Sequence, residues 1–175
     1  MAVLAFPDSL RVGLDRLGHW RRLGLLFALG MVSATALPPL GLVPALLPGL
    51  VALAWTLEDA PGARQAFGRA WVFGFGHHVV GLAWISEAFL TDPVRLGWMI
   101  PIAISGLAAL MALYIGLTGL AVRLLRFQGA ALPFALAGFW TLFDWVRSWA
   151  FTGFPWNPIG SVWTASDALL QSGAW

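Results

Sequence analysis

The chain has 175 residues, of which 59% are hydrophobic and 10% charged, with a net charge of +2. Ordinary globular domains carry about 45–50% apolar and about 25% charged residues. One water-exposed core of this size cannot hide the apolar surplus, so the composition excludes a soluble protein and requires lipid against part of the surface. The basic residues are all arginine, in no run that tracks a phosphate backbone, which argues against nucleic acid as a partner. Cysteine is absent, which removes disulfides, thiolate metal sites and a cysteine nucleophile from these residues.

Arg11, Arg16, Arg21 and Arg22 precede the first apolar run. A cleaved signal peptide needs a short apolar region and a small-residue cleavage site; here the run continues past Leu37, so it reads as an uncleaved first span. Apolar segments fall at about residues 23–37, 42–57, 70–90, 98–125 and 131–151. A bilayer crossing takes about 20 apolar residues, which the last three reach. The first two are shorter, and Pro38-Pro39-Leu40-Gly41 turns the chain between them, because proline lacks the amide donor and disfavours helix just before it. They form either two tilted spans or a re-entrant hairpin, and both return the chain to its starting side. The expected fold is all-α, a polytopic transmembrane bundle of about five segments. An arginine-rich terminus (residues 1–22) precedes the helical domain (23–151), and an outer interfacial segment (152–175) follows it.

Arginine placement sets the expected orientation. With the N-terminus in the cytoplasm, that side collects Arg11, Arg16, Arg21, Arg22, Arg64, Arg69, Arg123 and Arg126, leaving Arg95 and Arg147 outside. Eight against two is a strong positive-inside bias. Residues 87–97 and 152–175 then face the periplasm. No strict Gly-x-x-x-Gly pair occurs, so the tight helix-dimer motif is missing.

The densest cluster of distinctive residues is 144–156, an acid, a base and three tryptophans beside a Gly/Pro break. Charges and indoles suit a bilayer's edge better than its middle, so this reads as a helix end at the membrane surface. Asp144 and Arg147 stand three apart, close enough to pair on a helix. The pair either satisfies itself near the headgroups or presents Arg147 to a lipid phosphate, with Asp144 fixing its fork. Trp145 and Trp149 share a face, and Trp140, Trp156 and Trp163 extend an indole-rich zone, as an aromatic belt or as a wall for acyl chains. In Thr152-Gly153-Phe154-Pro155-Trp156, Gly153 is free to take positive φ and Pro155 extends Phe154, fixing the direction of the aromatics.

His77 and His78 are adjacent inside the third segment, about 100° apart on a helix, so they do not easily share one metal; hydrogen bonds to a facing helix account for them more simply. Glu87 is either a solvated edge charge, the simpler reading, or part of an outer vestibule. No Ser/His/Asp set, Gly-rich phosphate loop or paired carboxylates on one face make a catalytic unit, and no cofactor is expected.

Three segments resemble the membrane portion of apolipoprotein N-acyltransferases, enzymes of the bacterial inner membrane. They are Ala36-Leu37-Pro38-Pro39-Leu40-Gly41, the stretch from Gly74-Phe75-Gly76 to Gly81-Leu82-Ala83-Trp84-Ile85, and Asp144-Trp145-Val146-Arg147-Ser148-Trp149 with the Thr-Gly-Phe-Pro-Trp loop. Gly160 and Leu169-Leu170-Gln171 continue the pattern; Asn157-Pro158 and the histidine pair depart from it. The resemblance implies transfer of an acyl chain from a phospholipid donor, through a cysteine thiolate, to the α-amine of a diacylglyceryl-lipoprotein. It also implies a Glu/Lys/Cys triad on a nitrilase-like domain. With no cysteine, these residues are expected to be a membrane fragment of that enzyme, not catalytic alone. It further implies Trp145, Arg147, Trp149, Phe154 and Trp156 as substrate-binding candidates, with Asp144, Gly153, Pro155, Pro38 and Pro39 as structural ones. The rival expectation is a non-enzymatic membrane module that presents lipid or a polyprenyl substrate to a separate transferase. A transporter fits less well, lacking paired broken helices with midplane charges.

Overall fold

A computed structural model describes residues 10–150, 153 and 156–172, with the side chains of 165, 169, 170 and 172 outside that description. The described residues form helices and turns and no strand. Five longer helices build the body: α1 His19–Ala34, α2 Leu46–Glu58, α3 Ala63–Gly81, α4 Ile100–Leu124 and α5 Ala131–Arg147.

The turn between α1 and α2 sits where the prolines predict it. Leu37 and Gly41 close it with backbone bonds to Ala34 and Leu37, and the short 3-10 turn Val43–Ala45 leads into α2. Arg11, ahead of α1, pairs with Glu58 at 2.9 Å and Asp59 at 3.2 Å, at the far end of α2. The first two helices therefore run antiparallel, and the chain does return to its starting end.

The apolar stretch 70–90, expected as one continuous segment, is not one helix. Helix α3 begins earlier, at Ala63, and stops at Gly81; a 3-10 turn Ala83–Ile85 and a single turn Ser86–Phe89 follow. Hydropathy sees only that Leu82, Ala83, Trp84 and Ile85 are apolar and is blind to where the backbone turns. Asp92 then caps the next turn, its side chain accepting from the Arg95 amide, with Pro93 at the first helical position. After α4, Arg126 takes a left-handed φ of 58° and the Phe127 amide bonds back to Val122, the Schellman arrangement that ends a helix.

All five helices contribute to the main core: Leu26 from α1, Leu53 and Leu57 from α2, Phe73 with Ala66 and Ala70 from α3, Ile115 from α4, and Leu136 and Trp140 from α5. Helix α3 is central. Against α1 the backbones meet closely enough that a Cβ at Gly30 would stand 2.1 Å from the Phe73 carbonyl oxygen. One at Gly76 would stand 2.2 Å from that of Phe27. The arginine-rich end is tied through carbonyls, Arg123 Nε donating to Ala60 at 2.8 Å and Arg69 to Thr56 at the end of α2. The Gly129 amide donates to Glu58 at 2.8 Å, joining the α4–α5 turn to the same end.

By length and composition, one described helical stretch, Pro93–Leu124, is long and apolar enough to cross a membrane, and Val43–Glu58 is a shorter apolar helix. Helix α5, at 17 residues, is too short for that measure, and α3, at 19 residues, is not apolar enough, although their segments read from the sequence as full crossings.

Candidate functional site at the tryptophan-rich end

Helix α5 buries Leu132, Leu136, Trp140 and Arg147. Steps of four, four and seven residues trace one helical stripe, and Asp144 lies on it between Trp140 and Arg147. The acid–base pair thus continues the inward face of the helix. Arg147 is 3% exposed, whereas the sequence alone placed the pair at a surface. The opposite face carries Phe134, Leu142, Trp145 and Trp149, all exposed, with the last two indoles edge-to-face at 5.6 Å. Trp140 belongs to the core and leaves the expected aromatic zone. Its ring meets Phe73 and His77 edge-on at 6.2 and 5.9 Å.

The guanidinium of Arg147 is shared among three helices. Nη2 donates to Asp144 Oδ1 at 2.7 Å, and Nη1 lies 3.1 Å from His78 Nε2 on α3 and 3.7 Å from Met111 Sδ on α4. Among the described residues, Nε has no hydrogen-bond partner. An arginine only donates and a backbone carbonyl only accepts. His78, whose Nδ1 sits 2.9 Å from the Gly74 carbonyl oxygen, must therefore be the neutral tautomer, protonated on Nδ1 and accepting at Nε2. His77 turns the other way: Ser33 donates to Gly30 at 2.6 Å and so accepts from His77 Nδ1 at 2.9 Å. The adjacent histidines bond to different helices, as their angular separation predicts, and no group of three or more metal-ligating side chains is found among the described residues.

The segment beyond α5 folds back onto this end, held by two hydrogen bonds and a ring stack. Asp144 Oδ2 accepts the Ile159 amide at 2.8 Å, and Asn157 donates its side-chain amide to the Gly81 carbonyl at the end of α3. Trp156 stacks on Trp84, centroids 6.2 Å apart and planes within 24°. A 3-10 turn, Ile159–Ala165, follows, burying Val162, with the short helix Asp167–Ser172 after it. Gly153 has a φ of +68°, which an L side chain resists. Thr152, Phe154 and Pro155 lie outside the described residues. Trp163 is half exposed and Glu87 is exposed.

Pro38 and Pro39 stand at the same end. With Leu40, Val80, Gly81 and Trp84 they line an open, mainly apolar cleft of about 510 Å³. The arrangement offers an apolar recess and an outward indole pair above a buried, internally balanced ion pair. The Ser33 hydroxyl beside His77 gives its proton to the Gly30 carbonyl and accepts from the imidazole, so His77 is not placed as its base. Sequence reasoning expected the histidines to bond to a facing helix but did not pair His78 with Arg147, and it missed the role of Asn157; the inward stripe through Leu136, Trp140 and Arg147 was a local signal that could have turned the ion pair inward.

Residues 29–175 match the family described as the apolipoprotein N-acyltransferase N-terminal domain. Among curated relatives, the apolipoprotein N-acyltransferase of Allorhizobium ampelinum is 39% identical over 90% of this chain and 32% of its own length. That of Caulobacter vibrioides is 39% identical over 89% of the chain and 30% of its own length. The Brucella suis protein is 35% identical over 89% and 31% respectively. The chain thus spans about a third of the length of the curated relatives it matches. No solved structure matches it significantly. By the family match and by these relatives, the chain belongs to the apolipoprotein N-acyltransferase family, in the region of its N-terminal domain.

Proposed function

We propose that this chain is the membrane domain of a bacterial inner-membrane acyltransferase. The full enzyme moves an acyl chain from a phospholipid to the N-terminal diacylglyceryl-cysteine of lipoproteins. Family membership supports the reaction. The observation that carries this domain's share of it is that the exposed Trp145–Trp149 pair and the apolar cleft stand at the same end of the bundle. This chain has no cysteine, so the thiolate of a two-step acyl transfer comes from outside these residues.

The shorter helices, of 13 to 19 residues, are about 20–28 Å long at 1.5 Å per residue, against a hydrocarbon core of about 30 Å. Local thinning and side chains reaching for the interface close a gap of that size, so the short helices of the bundle are compatible with a polytopic protein. The arginine-rich end lies in the cytoplasm by the positive-inside rule, and the tryptophan-rich end faces the periplasm. There Trp145, Trp149 and Trp156 contact acyl chains at headgroup depth, and Phe154 joins them on family resemblance alone. Arg147 and Asp144 hold the outer end of the bundle from within, while Pro38, Pro39, Gly153 and Pro155 shape its turns.

Two measurements test this. In the full-length acyltransferase, replacing both Trp145 and Trp149 by alanine is expected to slow acyl-enzyme formation by several-fold at limiting phospholipid; an unchanged rate removes the indole pair from the lipid path. Orientation is read with Asp92→Cys in this cysteine-free chain. A membrane-impermeant maleimide added to spheroplasts should label it, and labelling only after permeabilisation reverses the topology.

A further inference from the structure

Asn157 satisfies two demands that few residues meet together. Its φ is +42°, a region that asparagine tolerates better than most L residues, and its side-chain amide donates to the Gly81 carbonyl. That carbonyl belongs to the last residue of α3, where the final carbonyls of a helix have no intrahelical partner. A Cβ on Gly81 would stand 2.9 Å from the Asn157 amide nitrogen, so the approach is close on both sides. The residue before Asn157 is Trp156, and its ring stacks on Trp84, three positions beyond Gly81.

We propose that Asn157 is a positioning residue whose amide, bonded to Gly81, seats Trp156 on Trp84 and so orders one wall of the cleft beside Pro38 and Pro39. The Asp144–Ile159 bond fixes the chain two residues further on. Both anchors follow Trp156 directly in the chain and hold the segment that carries it against Trp84. The inference deepens the lipid-handling reading above and rests on it only for its kinetic consequence.

The test begins with the purified chain in micelles. Close indoles couple excitonically, and because the Trp145–Trp149 pair adds its own signal, the Trp84–Trp156 band pair is read as the difference between the parent and Trp84→Phe circular-dichroism spectra. Asn157→Gly accepts the positive φ without strain yet lacks the amide, and should remove the same band pair while leaving helical content intact. Asn157→Asp, which has no N–H to offer the carbonyl, should do likewise, and covers the case in which the glycine variant folds poorly. An Asn157→Gly spectrum that keeps the band pair overturns the proposal, as does a Trp84→Phe spectrum identical to that of the parent. In the full-length acyltransferase, Asn157→Gly should raise KM for phospholipid several-fold with kcat within about twofold. Loss of the band pair with an unchanged KM upholds the clamp and instead removes Trp156 from the lipid path.

Discussion

Arg147→Ala is expected to be the most damaging single substitution at the tryptophan-rich end. It should cost about 3–5 kcal/mol, the usual penalty for removing one partner of a buried pair. The cost arises from what remains. Among the described residues, Asp144 would keep only the Ile159 amide, and His78 Nε2 would face α5 with no donor. With the Arg147 side chain 3% and the Asp144 side chain 11% exposed, water cannot readily replace what is lost. Reversible unfolding in mixed micelles measures the difference. Double replacement by apolar residues of similar volume, Asp144→Leu with Arg147→Met, should recover most of the loss, because no charge is then stranded. A single-alanine variant within about 1 kcal/mol of the parent would show that the ion pair is not held as the geometry has it.

Gly76→Ala carries the second large effect, and its sign depends on where the glycine sits. In a helix interior alanine is favoured over glycine by about 0.8–1.0 kcal/mol. At Gly76 the new methyl would meet the Phe27 carbonyl oxygen at 2.2 Å, and at Gly30 that of Phe73 at 2.1 Å. Backbone has no rotamer with which to yield, so α1 and α3 must separate. Overpacking of this kind costs about 1–3 kcal/mol and sometimes more, so the net change is destabilising, on the order of 2 kcal/mol at either position. Gly68→Ala, on the same helix with nothing within 4 Å, should instead gain up to about 1 kcal/mol. Opposite signs for Gly76 and Gly68 in the same unfolding assay are the expected result. Equal gains at both would mean that the helices are not in backbone contact.

These two predictions also mark how far the sequence could be read. A search for Gly-x-x-x-Gly along a single helix finds nothing, yet α1 and α3 approach through one glycine from each. That pairing joins residues more than forty positions apart and leaves no short motif. Similarly, Asp144 and Arg147 were recognisable as a pair from their spacing, since helical geometry places residues three apart side by side. That the pair faces inward depends on His78, 69 positions away, and on Ile159, beyond the break. The neighbouring tryptophans pull a local reading toward the surface, and for Trp145 and Trp149 that reading holds, both being 61% exposed. For Trp140 it fails, because the opposite stripe of the same helix points into the core.

The amino-acid sequence alone determined that the chain is helical, that it turns at Pro38-Pro39 and returns to its starting end, and that it resembles one acyltransferase family. Each of these follows from local quantities: apolar excess, the geometry of proline, and a motif within a dozen residues. Tertiary structure decided which face of each helix is buried, where α3 stops, and that Asn157 and Asp144 fasten the segment beyond α5 to the bundle. Those outcomes depend on partners distant in the chain, because a buried donor or charge is tolerable only where its complement meets it, and no window of sequence shows both.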